Sequence, residues 1–118
     1  MTIKSDLSHK RCEACEGIGS ALNTEQVLHL MPQLHHDWEA NTSSTSLTRV
    51  FHFKNYYHTM AFVNALAWIA HQENHHPDLL VSYNKCSVTW NTHALNGLSM
   101  NDFICAAKTD ALIVEKQS

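Results

Sequence analysis

From Asn55 to about Asn74 apolar residues recur at helical spacing, and this stretch lies between two segments whose apolar residues alternate. A change of period from two to about 3.6 and back limits the chain to a helix carried between strand pairs, because the two periods place side chains on different faces. Upstream, "LTRVFHF" sets Leu47, Arg49, Phe51 and Phe53 against Thr48, Val50 and His52. The polar "ANTSSTS" before it reads as a turn from an extended segment opened by Trp38. Downstream, Pro77 stops the helix, and "DLLVSY" and "CSVTWNT" read as strands joined through Asn84 and Lys85. Cys86, Val88 and Trp90 then share one face, with Ser87, Thr89 and Asn91 on the other.

Two shorter helices flank this centre. "NTEQVLHLM" offers Asn23 or Thr24 as N-cap and an apolar face of Val27, Leu28, Leu30 and Met31, with Pro32 straining or stopping the helix. Gly97 breaks the chain after the last strand. Ser99 then caps a final helix with Asp102 three residues on, a capping box with aspartate in place of glutamate, followed by Phe103, Ile104, Ala107, Ala111 and Val114. The order predicts an α+β domain, a four-stranded antiparallel sheet with three helices packed on one face. With 118 residues there is room for one such domain, expected over 23–118 after a mobile lead-in over 1–22.

The central helix carries two apolar stripes, one of Met60, Val63, Ala67 and Ala70 and another of Phe62, Leu66 and Ile69. A sheet covers one of them. The other is expected either on a second subunit, giving a homodimer or homotetramer through helix 55–74, or beneath the other helices.

Composition removes several functions. A net charge of −3 with scattered lysines and arginines leaves no basic stripe, so nucleic acid is not an expected partner. The longest apolar stretch, Met60 to Ala70, is interrupted by Asn64 and falls short of the roughly 20 residues that span a bilayer. No apolar segment follows the basic residues of the N-terminus, so cytoplasmic residence is expected, with the four cysteines reduced. Cys12 and Cys15 form a C-x-x-C pair near His9, but no second pair appears to close a tetrahedral zinc site.

Among ten histidines, three sit at junctions. His75 and His76 fall where the long helix gives way to a strand, and His93 falls just past a strand end. Element ends are where side chains converge on a site, and imidazole suits proton transfer near neutral pH. The bland role for each is to bond the last carbonyls of a helix.

Taken together, "HHP" at His75, "YNK" at Tyr83, "TH" at Thr92, "GL" at Gly97 and the aspartate of "NDF" at Asp102 resemble the pterin-4a-carbinolamine dehydratases, over Asn23 to Asp110. The N-terminal "CEAC" is similar to the lead-in of bacterial members. The resemblance implies a hydro-lyase that dehydrates a 4a-hydroxytetrahydropterin to quinonoid dihydropterin, recycling the cofactor of aromatic amino acid hydroxylation, with a phenylalanine hydroxylase as metabolic partner. It implies His75, His76, His93 and Asp102 as catalytic residues, Asp102 orienting His93, and no metal or other cofactor, since pterin is the substrate. Trp38, Pro77 and Thr92 join the histidines as substrate-binding residues, the Trp38 indole covering a flat pterin face. Many members carry glutamate four residues before the first histidine; this chain has His71 there and Glu73 two residues later, so the setting of His75 is expected to differ. Two other readings remain open. Three histidines and a carboxylate could ligate zinc or iron, although the adjacent His75 and His76 diverge unless the backbone bends. A dimeric regulatory module is the third, because animal relatives act as dimerisation cofactors for a homeodomain transcription factor.

Overall fold

A computed structural model describes residues 7–12 and 20–113. Cys15 and Val114, named above, lie outside the described residues. The order is α1 (Thr24–Leu30), β1 (Glu39–Ala40), β2 (Leu47–His52), α2 (Tyr56–Glu73), β3 (Asp78–Val81), β4 (Lys85–Trp90) and α3 (Met100–Ala111), as the change of period predicts. All neighbouring strands are antiparallel in the order β1-β2-β4-β3. Helix α2 therefore carries the chain past a gap beside β2 that β4 later fills. This insertion brings the end of β4 to the middle of the sheet.

Local chemistry explains each boundary. The Asn23 side chain accepts from the Gln26 N–H while the Gln26 side chain accepts from the Asn23 N–H, closing a capping box on α1. Pro32 sits within a short 3-10 turn, Met31–Gln33, that ends this helical run. In the β1–β2 turn, Asn41 Oδ1 accepts from the N–H groups of Thr45 and Ser46, and Ser44 takes a left-handed conformation with φ of 58°. Asn55 caps α2 by accepting from the His58 N–H, and Asn74 closes it in the left-handed conformation, φ 53°.

The core lies between one sheet face and the helices: Leu47, Phe51, Cys86, Val88 and Trp90 meet Val27, Phe62, Leu66, Phe103 and Ile104. On α2 the buried positions are Thr59, Phe62, Leu66 and Ala70, spaced as a single stripe. Phe62 and Leu66, of the second stripe and the residues whose replacement by a charge would be expected to break self-association if that stripe were exposed, are core residues at 5% and 0% exposure. The aromatic ring of Phe51 lies 4.7 Å from that of Phe62, so the sheet covers this stripe. The outward face of α2 instead presents Ala67 and Trp68, the latter 59% exposed. In α1, Leu28 also faces outward rather than joining the core. No helix among the described residues is long and apolar enough to cross a membrane.

The lead-in expected over 1–22 is packed where it is described. Leu7 is buried, Lys108 Nζ donates to the Ser8 carbonyl at 2.9 Å, and the Cys12 N–H donates to Glu73 Oε1 at 2.9 Å. Arg11 Nε lies 3.0 Å from Glu73 Oε2. Burial pushes the Glu73 carboxyl up, but the Cys12 N–H, Lys108 and Arg11 outweigh it and hold the group below its ordinary value. A depressed carboxyl stabilises the fold fully above its unfolded value and loses that contribution as pH falls through the folded one. The protection of the Cys12 amide against hydrogen exchange, corrected for intrinsic rates, is therefore expected to fall in acid ahead of the core amides of β4.

Candidate active site

The ends of α2, β4 and α3 meet at one carboxylate. Asp102 is the third residue of α3 and has no exposed surface. Its Oδ2 accepts from the Ser99 N–H at 2.9 Å, which completes the expected capping box, and from Thr92 Oγ1 at 2.7 Å. Its Oδ1 lies 2.6 Å from His75 Nε2. A carboxylate only accepts, so the Nε2 nitrogen carries a proton, and in the neutral imidazole Nδ1 keeps the free lone pair. Thr92 spends its hydroxyl proton on Asp102 and so accepts from Ser99 Oγ at 2.8 Å. Three donors and the positive end of α3 thus compensate a charge that burial alone would make costly.

His75 is itself buried at 6% exposure and stacks on Trp90, the rings 5.5 Å apart and 8° from parallel. Its position follows from the left-handed Asn74, which turns the chain out of α2 while the His75 N–H still bonds the Ala70 carbonyl at 3.2 Å. The bland role of bonding the last carbonyls of a helix falls to the His75 backbone N–H, while its ring is spent on Asp102 and Trp90 inside the core. Asp102 orients His75, not His93, because the α3 N-terminus faces the end of α2 across Thr92. Glu73 turns to the N-terminal segment and His71 is exposed against Trp68, their rings 5.6 Å apart, so Asp102 is the carboxylate that bonds the His75 ring.

His76 and His93 are exposed, and neither side chain makes a hydrogen bond among the described residues. His93 lines a polar cavity of about 370 Å³ with Thr92, Asn41, Thr45, Ser46 and Asn91. This cavity takes in neither His75 nor His76. The link between them is Thr92, which forms part of the cavity wall and holds the carboxylate that holds His75. Pro77 is half-buried at the start of β3.

Trp38 lies elsewhere. It is 3% exposed, its indole N–H donates to both oxygens of Asp110 at 2.9 Å, and its ring meets Phe51 edge-on. Arg49 Nη1 bonds the same carboxylate at 2.7 Å. Trp38 therefore packs in the core with its N–H committed to Asp110, apart from His75, His76 and His93. Sequence reasoning missed Trp90 as the platform for His75, although its place on the inward face of β4 was legible. It also read Ser99 only as a cap. A metal reading gains nothing, because among the described residues the group with converging ligand atoms is His35, His36 and Asp37, which contains none of the four candidates.

An imidazole held by a buried carboxylate, with two histidines at neighbouring element ends that make no hydrogen bond among the described residues, is an arrangement suited to proton transfer. The sequence model of the family described as Pterin 4 alpha carbinolamine dehydratase matches residues 20–112, and the chain belongs to this family. A Legionella pneumophila (strain Corby) protein provisionally named pterin-4-alpha-carbinolamine dehydratase is 63% identical over 113 residues, 96% of this chain and 100% of that protein. A Nitrosomonas eutropha relative, provisionally given the same name, is 51% identical over 97% of this chain and 99% of its own. In three dimensions the chain is similar to the crystal structure of a transcriptional coactivator/pterin dehydratase from Brucella melitensis. The TM-score is 0.74 at 28% identity, over 79% of this chain and 98% of that one.

Proposed function

We propose that this chain is a hydro-lyase that removes water from a 4a-hydroxytetrahydropterin. The reaction needs two proton transfers: the departing 4a-hydroxyl takes a proton, and N5 of the ring loses one as the C=N bond forms. Neither step needs a metal or a redox cofactor, and both suit imidazole. His75, with Nε2–H committed to Asp102, offers Nδ1 for one transfer, while His76 and His93, free of hydrogen bonds among the described residues, serve the other transfer and the pterin ring. Thr92 and Pro77 shape the approach. The observation that carries this reading is the 2.6 Å bond between His75 and a wholly buried Asp102 in a member of this family. The test is the ultraviolet decay of freshly made 4a-carbinolamine: the decay rate rises in proportion to added protein, and a rate equal to buffer alone refutes the proposal.

The same reading places the enzyme in the cytoplasm, beside an aromatic amino acid hydroxylase that supplies its substrate, and as a homo-oligomer. In this reading self-association runs through Trp68 and its outward neighbours, because Phe62 and Leu66 are buried against the sheet. Trp68→Glu is expected to lower the mass found by sedimentation while leaving the circular dichroism unchanged. Leu66→Glu buries a charge in the core and is expected to unfold the chain instead. A wild-type monomer at micromolar concentration would end the idea.

A further inference from the structure

Two thiols meet where the N-terminal segment crosses α3. Cys12 Sγ and Cys105 Sγ lie 3.5 Å apart, across a sequence separation of 93. Cys12 is half-buried, whereas Cys105 has no exposed surface. The contact is built by the backbone around it: Leu7 is buried, the Ser8 carbonyl is held by Lys108, and Arg11 and the Cys12 N–H are held by Glu73. These anchors pin the segment on α2 and α3, so the sulfurs meet because their backbones are fixed. A disulfide bond brings sulfurs to about 2.0 Å, so closure asks for a shift of roughly 1.5 Å, within reach of side-chain rotation.

The two thiols have unequal reactivity. The contact with Cys12, then burial, then the charges of Cys12, Asp102 and Glu73 push the Cys105 thiol well above its ordinary range. While Cys12 is reduced, Cys105 is therefore protonated and sheltered, and Cys12 is the sulfur that an oxidant reaches; oxidation of Cys12 removes the contact that most raises Cys105 and frees its sulfur to react.

We propose that Cys12 and Cys105 form a reversible disulfide that staples the N-terminal segment to α3 when the protein meets a hydroperoxide. In the first step the Cys12 sulfur takes one oxygen from hydrogen peroxide; the O–O bond breaks, water leaves and Cys12 becomes a sulfenic acid. The Cys105 sulfur then attacks the Cys12 sulfur, the S–O bond breaks, and the departing hydroxide leaves as water with the Cys105 proton. Two thiols lose two electrons and one peroxide becomes two waters. A dithiol reductant restores both thiols by exchange. This inference goes beyond the dehydratase reading and does not depend on it.

The test uses the full chain treated with hydrogen peroxide, quenched by alkylation and mapped as non-reduced peptides. The expected product is a Cys12–Cys105 linked peptide pair, lighter by two hydrogens, in both wild type and Cys15→Ser. It is accompanied by a Tm increase of roughly 10 °C that dithiothreitol reverses. Cys12→Ser, a near-isosteric change at a half-buried position on the edge of the core, is expected to show neither the link nor the Tm increase. A Cys12–Cys15 link with Cys105 still free, two free thiols in oxidised Cys15→Ser, or a peroxide-induced Tm increase that persists in Cys12→Ser would each overturn the proposal.

Discussion

Asp102→Ala is expected to cost about 3–5 kcal/mol of stability, read as a lower midpoint in urea denaturation. The loss exceeds that of an ordinary truncation because three donors, the His75 Nε2–H, the Thr92 hydroxyl and the Ser99 N–H, lose their acceptor in a site without exposure. Asp102→Asn keeps the shape and separates the two roles of this carboxylate. If its carbonyl stays with Ser99 and Thr92, its amide N–H meets His75 and selects the tautomer with Nδ1 protonated, which removes the free lone pair. The protein is then expected to remain folded while dehydration falls by a factor of roughly 10² to 10⁴. A folded Asp102→Asn with wild-type turnover would show that Asp102 is there for stability alone.

The second large effect concerns His76. Its side chain is exposed and makes no hydrogen bond among the described residues, so His76→Ala is expected to change stability by less than about 0.5 kcal/mol. Its effect on dehydration, in contrast, is expected at roughly 10² or more, measured as the spontaneous-corrected decay of the carbinolamine. His75 needs a gentler change. Truncation to alanine would strip the ring from Trp90 and leave Asp102 short of a donor, whereas His75→Gln keeps an N–H for the carboxylate and removes only the imidazole.

Elements whose causes are local were legible in the sequence. Asn23 and Ser99 each cap the helix they precede, and the alternation of Cys86, Val88 and Trp90 gave the inward face of β4. What a face touches was not legible. Phe62 and Leu66 form an apolar stripe whether a sheet or a subunit covers it, and only the pairing of β4 between β2 and β3 places the sheet there. The four catalytic candidates came from the family's motifs, but their pairing did not. Asp102 finds His75 across 27 residues because the left-handed Asn74 turns that ring towards the start of α3. Trp38 had the same apolar body in either role, and its commitment to Asp110 depends on a separation of 72 residues. Cys12 lay in a stretch without periodicity, so its packing against Cys105 had no local signal.

The central claim is that the His75 imidazole held by Asp102, together with His76, carries the two proton transfers of pterin carbinolamine dehydration. The most direct measurement is the dehydration rate of the double variant His75→Gln, His76→Ala beside wild type at matched concentration, with circular dichroism confirming the fold and the spontaneous rate subtracted. The account predicts a rate indistinguishable from buffer for the double variant and a clear excess for wild type; a folded double variant with wild-type turnover would contradict it.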